Sequence, residues 1–262
     1  MKAISSRDNP LVKRLHALAS SGRERRKLGE TLLDGAHLVQ AALERSCRLK
    51  GLVVSESGVR KAEIADLLGE VGQGLPCHVL PDTLFAHVSP VDTPSGVLAI
   101  IDLPAEKPLG TIVDNLVVLD GVQDPGNLGT ILRTAAAAGV RHVLLAEGCA
   151  GAWSPRVLRA GMGAHFVLEV HERVDLAAWL PGFGGQVLAT ALSGDACSLY
   201  DLDLRAPVAW VFGGEGQGVS PAVLACATRH VLIPMPGAIE SLNVGAAVAV
   251  CLFEQARQLG SR

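Results

Sequence analysis

Three stretches of the chain set polar side chains of catalytic type at the mouths of helices, each just after an apolar run. The first is Leu119-Asp120-Gly121-Val122-Gln123-Asp124-Pro125-Gly126-Asn127, continuing as LGTILRTA. Here a strand ends at Asp120, an Asp-Pro-Gly turn follows, and Asn127 is the expected N-cap of a helix over 127–138. Arg133 then projects from the second turn. Set in an apolar run, its guanidinium needs a partner, either a structural carboxylate or a ligand, because a buried unpaired charge is costly.

The second stretch, Phe212-Gly213-Gly214-Glu215-Gly216-Gln217-Gly218-Val219-Ser220, has four glycines in six residues. Such a loop brings backbone close to something or takes φ > 0. Val219 stands where a GxGxxG fingerprint needs its third glycine, and no GxxxxGK[ST] loop is present, which argues against a dinucleotide or P-loop site. Glu215 is the titratable group there, and it either acts on a ligand or caps the next helix. The third stretch runs from Ile233 through Met235 to Ser241-Leu242-Asn243. Ser241 or Asn243 caps the helix predicted over 242–258. A Ser and an Asn two apart at a helix N-terminus also suit a phosphate or a carboxylate.

The elements that must hold these loops follow from periodicity. After residue 112, strand-like runs at 116–119, 143–146, 166–170, 187–191, 208–212 and 230–233 alternate with helix-like runs at 127–138, 155–161, 174–180, 220–227 and 242–258. Short, fully apolar strands between helices predict a parallel sheet covered on both faces. Residues 35–45, 58–70 and 82–88 read as helices, and 52–55, 78–80 and 97–101 as strands, of a smaller α/β unit. The Pro/Gly-rich stretch 103–110 separates the two, giving domains at 1–105 and 112–262.

Composition bounds the rest. The 262 residues carry a net charge of −3 and are 49% hydrophobic, which suits a folded α/β protein with an ample core. Residues 1–50 hold eleven Lys and Arg against five Asp and Glu, whereas the remainder is acidic. Lys13, Arg14, Arg23, Arg25 and Arg26 form a basic arm, which is either a solvated helix face or a surface for a polyanion such as RNA. There is no run long and apolar enough to span a membrane and no signal-peptide pattern. The six cysteines lack CxxC spacing and the histidines lack i, i+3 or i+4 pairs, so a reducing, cytoplasmic setting and no metal centre are expected. No GxSxG elbow exists to support a hydrolase.

Taken together, NLGTILRTA (127–135), FGGEGQGVS (212–220) and IPMPGAIESLNVGAAVAVCLFE (233–254) resemble, in order, the three signature motifs of the SpoU (TrmH) family of RNA ribose 2′-O-methyltransferases, within the SPOUT superfamily. SRDNPLVKRL (6–15) and GETLLDGAHLVQAAL (29–43) are similar to that family's RNA substrate-binding domain, with Asp34-Gly35 where relatives often have Glu-Gly. The resemblance implies a parallel-sheet catalytic domain with a C-terminal deep trefoil knot, a small N-terminal α/β RNA-binding domain, and a homodimer. It implies a methyl transfer from S-adenosylmethionine, with Asn127, Arg133, Glu215, Ser241 and Asn243 as the catalytic constellation. By the same resemblance, Leu192, Gly213, Gly214, Ile233, Met235 and Leu242 hold the cofactor.

In that reading Arg133 stabilises negative charge on the ribose oxygen rather than acting as a base, since a guanidinium holds its proton. Ser241 and Asn243 anchor phosphate or orient Arg133, and Glu215 holds the loop or a substrate group. Ribosomal RNA is expected ahead of transfer RNA. A transfer-RNA ribose methyltransferase and a non-catalytic RNA-binding or ribosome-assembly protein are the alternatives.

Overall fold

The computed structural model describes residues 1–72, 74–105, 107–191 and 196–260. The chain divides into two units, Met1–Ala105 with Trp153–Phe166, and Glu106–Ala152 with Val167–Arg262.

The first unit runs β1 (Lys2–Ala3), α1 (Pro10–Ser20), α2 (Gly22–Leu28), β2 (Glu30–Asp34), α3 (Ala36–Glu44), β3 (Leu49–Ser55), α4 (Ala62–Val71), β4 (Cys77–Leu80), α5 (Asp82–Val88) and β5 (Val97–Asp102). Its sheet has the order β1-β4-β3-β5-β2, with β5 antiparallel to both neighbours. Period-two alternation gives each face its own core. Leu33, Leu52, Val54, Val97 and Ala99 face one side, and Leu32, Val53, Leu98 and Ile100 the other.

β2 was not anticipated, because charged residues close both ends of its short apolar centre. Both ends are buried, and both are paired. Glu30 accepts from Arg14 and meets Lys50 at 2.5 Å. Asp34 accepts from Ser95 Oγ at 2.5 Å and from Arg159 Nη1 at 2.6 Å. Arg159 lies on α7 (Pro155–Gly161), within the segment grouped with this unit, where Leu158 enters the core and Thr31 Oγ1 donates to the Trp153 carbonyl.

In the second unit β6 (Leu116–Asp120), α6 (Pro125–Ala137), β7 (His142–Leu145), β8 (Glu169–His171), α8 (Leu176–Trp179), β9 (Gln186–Thr190), β10 (Cys197–Ser198), β11 (Val208–Gly213), α9 (Pro221–Leu224), β12 (Arg229–Leu232) and α10 (Val244–Gln258) follow in sequence. The seven strands are ordered β10-β12-β9-β11-β6-β7-β8, and every pairing is parallel. This is the predicted parallel sheet, with β10 added. The strand expected at 166–170 is shorter, because a 3₁₀ turn takes Ala164–Phe166.

Trp210 of β11 is fully buried, and its Nε1 donates to Gln255 Oε1 of α10 at 2.9 Å. Gln255 Nε2 in turn donates to Asn115 Oδ1. The buried amide of Gln255 is thereby satisfied, and α10 is held over the sheet. Gly245 lets α10 press against Thr130 of α6, where a Cβ would already meet Thr130 Cγ2 at 3.2 Å. Among the described residues no helix is long and apolar enough to cross a membrane.

Candidate active site

The three loops leave the carboxyl ends of β6, β11 and β12, the edge of a parallel sheet where ligands bind. β6 and β11 are neighbours, in register from Leu116↔Ala209 to Asp120↔Gly213. The glycine-rich loop therefore starts beside Asp120. The Asp120 carbonyl accepts from Gly214 N–H at 2.9 Å, and its Oδ2 accepts from Ser220 N–H at 2.7 Å. One residue so fixes both ends of the loop. Its signal in the sequence was a carboxylate closing an apolar strand, which by itself did not mark it out.

The glycines make the close approach that such a loop predicts. A Cβ on Gly213 would run into the backbone of Gly218 and Val219, and one on Gly214 into the Gly121 carbonyl. The close approach is between parts of this chain. Gly213 and Gly214 let the loop fold back on itself and lie against the turn after β6.

Asn127, Glu215 and Asn243 are brought together. Asn127 Nδ2 donates to Glu215 Oε1 at 2.6 Å, and Asn243 Nδ2 donates to Asn127 Oδ1 at 2.9 Å. Asn243 Oδ1 accepts from Gly245 N–H at 2.9 Å and Ala246 N–H at 3.4 Å. A continuous relay thus runs from a carboxylate through two amides to a helix N-terminus, and it links all three loops. Each amide's orientation follows from its partners, since an N–H must face the carboxylate and an oxygen must face the helix amides.

One local expectation changes and two open alternatives are decided. Asp124, not Asn127, caps α6, accepting from Asn127 N–H at 2.7 Å. Its Pro125 at N1 sets the helix two residues earlier than the apolar pattern suggested. Asn243 alone caps α10; Ser241 is exposed and makes no hydrogen bond among the described residues. With two amides taken by Asn243, that helix end has less to offer an anion than expected. Glu215 caps no helix, since α9 begins after Ser220.

Arg133 is exposed rather than buried, so burial demands no partner, and it makes no ion pair among the described residues. Six residues beyond Asn127, it lies about 240° round the helix and about 9 Å along it. It therefore faces away from the relay.

Around the third loop, Ile233 and Met235 are half-buried and Leu242 is exposed. Residues Pro234–Leu242 make no backbone–backbone hydrogen bond among the described residues outside helices and strands. Leu192 lies outside the described residues. The half-buried Cys149, whose Sγ donates to the Leu119 carbonyl at 3.4 Å, is no nucleophile, because burial pushes its thiol above the usual range.

The basic arm of the first unit is divided in its duties. Arg14 is bound to the buried Glu30 and is structural. Lys13 meets Asp8 at 2.9 Å in the open, and Arg25 Nη1 donates to the Leu18 carbonyl at 2.8 Å. Arg23 and Arg26 are exposed on α2, beside Lys27.

Comparison with known proteins gives this geometry a context. Residues 114–253 match the SpoU rRNA Methylase family, and residues 9–99 match the MRM3-like substrate binding domain. The Bacillus subtilis 23S rRNA (guanosine(2553)-2′-O)-methyltransferase RlmP is 34% identical over 97% of this chain and 98% of its own. A crystal structure described as an RNA 2′-O ribose methyltransferase superposes with a TM-score of 0.83 at 30% identity, covering 98% of each chain. The AdoMet-bound rRNA methyltransferase from Sinorhizobium meliloti superposes with a TM-score of 0.82 at 28% identity, again over 98% of each.

Proposed function

Because the chain belongs to the SpoU rRNA methylase family, we propose that it transfers a methyl group to a ribose 2′-hydroxyl of ribosomal RNA. The observation that carries this reading is the Glu215–Asn127–Asn243 relay, which ties the three motif loops into one place at the carboxyl edge of the sheet.

S-adenosylmethionine is the methyl donor in this reading, and the third loop suits it. Pro234–Leu242 leaves backbone N–H and C=O groups unspent, while Ile233, Met235 and Leu242 provide apolar wall. Apolar lining with a few polar groups aimed inward is what an adenosine needs. When bound, the cofactor supplies a methyl group on a sulfonium centre. Gly213 and Gly214 serve indirectly, by letting the neighbouring loop close without obstruction.

The side chains then have separate duties. Asn127, Glu215 and Asn243 spend their polar groups on one another and hold the loops. Arg133 has its guanidinium unspent. It binds the phosphate beside the target ribose and stabilises the negative charge that grows on the 2′-oxygen as its proton leaves. Arg133 and the relay of one copy face different ways, which supports a site completed across a homodimer, with Arg133 of one copy serving the relay and cofactor loops of the other. The exposed apolar side chains Ile239, Leu242 and Phe253 are consistent with a surface covered by a second copy. The trefoil knot of the C-terminal segment belongs to this same reading and rests on the family resemblance.

The test uses the purified chain, tritium-labelled S-adenosylmethionine and ribosomal RNA from a strain lacking the gene. Label is expected at one ribose. Arg133→Ala should keep cofactor binding while transfer falls at least about a hundredfold. An Arg133→Ala variant that transfers at the wild-type rate refutes the role of Arg133, and wild-type protein that binds the cofactor yet labels no ribosomal RNA, free or in particles, refutes the function.

A further inference from the structure

Three side chains outside the catalytic loops converge at the other end of the second unit's sheet. β7 and β8 pair in parallel, with His142 opposite Glu169 and Leu144 opposite His171. Residues two apart on a strand share a face, so Glu169 and His171 stand on the same side. One donor atom from each of His142, Glu169 and His171 lies within 4.8 Å of the other two. All three are half-buried.

One oxygen of the Glu169 carboxylate is already committed. Arg141 Nη2 donates to Glu169 Oε1 at 2.7 Å, leaving Oε2 toward His142. His142 Nδ1 is buried with no hydrogen-bond partner, 3.6 Å from Glu169 Oε2 and so outside hydrogen-bond reach. A ligating carboxylate is held in this way, as Glu169 is, with one oxygen tied down and the other free. A buried polar atom without a partner calls for an explanation.

We propose that His142, Glu169 and His171 form a binding site for a divalent transition-metal ion of the zinc type, with water completing the coordination. Two imidazoles and one carboxylate suit such an ion, whereas magnesium and calcium favour oxygen ligands throughout. In a tetrahedral site the ligand atoms draw in to about 3.3 Å from one another, given bonds of about 2.0–2.1 Å. The nearby cations of Arg141 and Lys107 oppose a dication and keep the affinity moderate.

The site is structural rather than catalytic. His142 is level with Leu116, four residues before Asp120, and so about 13 Å from the catalytic edge. β8 is a three-residue edge strand, and an ion shared by β7 and β8 pins it to the sheet. Nothing here depends on the methyl-transfer reading.

The experiment is calorimetric titration of the full chain, stripped by a chelator, with Zn²⁺, together with the absorption spectrum of the Co²⁺-substituted protein. Single-site binding is expected, with a rise in unfolding temperature and no thiolate-to-cobalt charge-transfer band. His171→Ala and Glu169→Gln should each weaken binding at least about tenfold. Should His171→Ala fail to fold, Glu169→Gln, which keeps the shape, decides alone. Absence of binding by the wild type, full affinity in the folded variants, or a thiolate band assigning the ion to cysteines each overturns the proposal.

Discussion

Asn243 performs two tasks with opposite ends of one amide, and a single atom change separates them. Its Oδ1 accepts from Gly245 and Ala246, capping α10, while its Nδ2 donates to Asn127. Asn243→Asp keeps the acceptor and adds a negative charge at a helix N-terminus, a placement worth about 0.3–1 kcal/mol in favour. It removes the donor, however, and sets Asn127 between two carboxylates, Asp at 243 and Glu215. Asn243→Ala removes both. Losing the cap costs about 1 kcal/mol, or about 2–4 °C of Tm for a chain of this size. The relay bond is exposed to solvent, so its loss is worth about 1 kcal/mol as well. If that energy holds Asn127 and the glycine-rich loop in register during transfer, the rate falls about fivefold, since 1.36 kcal/mol is a factor of ten. The expectation is therefore asymmetric. Asn243→Asp should melt within about 2 °C of the parent yet methylate RNA roughly five- to tenfold more slowly, while Asn243→Ala should lose both stability and rate. Thermal unfolding and initial-rate methyl incorporation on one RNA read the two effects separately. Wild-type transfer by Asn243→Asp would refute the claim that the relay orders the site, and equal melting losses in both variants would refute the capping assignment.

Gly214→Ala should damage the site from the inside, because its Cβ would stand 2.9 Å from the Gly121 carbonyl carbon and closer still to the oxygen. A loss of about 3 kcal/mol or more is expected, visible as a lowered Tm and weakened cofactor binding in calorimetry; an unchanged Tm would contradict the packing described. Arg14→Ala should cost stability, about 1–3 kcal/mol after allowing for its partial exposure, while the salt dependence of RNA binding stays the same. Its pH signature follows from Glu30. Burial pushes that carboxyl up, but Arg14 and Lys50 together outweigh burial and hold it below its ordinary 4.5. With a depressed folded value, the stabilisation is present above that pH and is lost as pH falls through the folded value. Without Arg14 the loss should begin at higher pH, which acid titration of unfolding would detect. The doubly substituted Arg23→Ala, Arg26→Ala protein should instead keep its stability and show a log Kd against log[salt] slope flatter by up to about two; an unchanged slope would remove α2 from the RNA interface.

The contrast between Arg14 and Arg23 also explains what was legible in the sequence. Periodicity reports which face of an element is apolar, and it located β6, β11, α5 and α7 because their patterns are unbroken. It missed β2, whose end residues Glu30 and Asp34 are charged and buried, since the arginines that make this tolerable come from elsewhere in the chain. Sequence spacing likewise placed Asn127, Glu215 and Asn243 in three loops without showing that they touch, as 88 and 116 residues separate Asn127 from its two partners. Only the parallel pairing of β6 with β11, and the return of the chain from β12 to α10, brings them within hydrogen-bond range. The glycines carried the clearest local signal. Four glycines in six residues announce a close approach, but nothing local says whether the approaching group is a ligand or the chain's own Gly121. The same holds for Arg133, whose apolar neighbours suggested burial although its helix turns it outward. Among the described residues Arg133 makes no ion pair on its exposed face, and that free charge, six residues from Asn127, is the observation on which the proposed site between two copies rests.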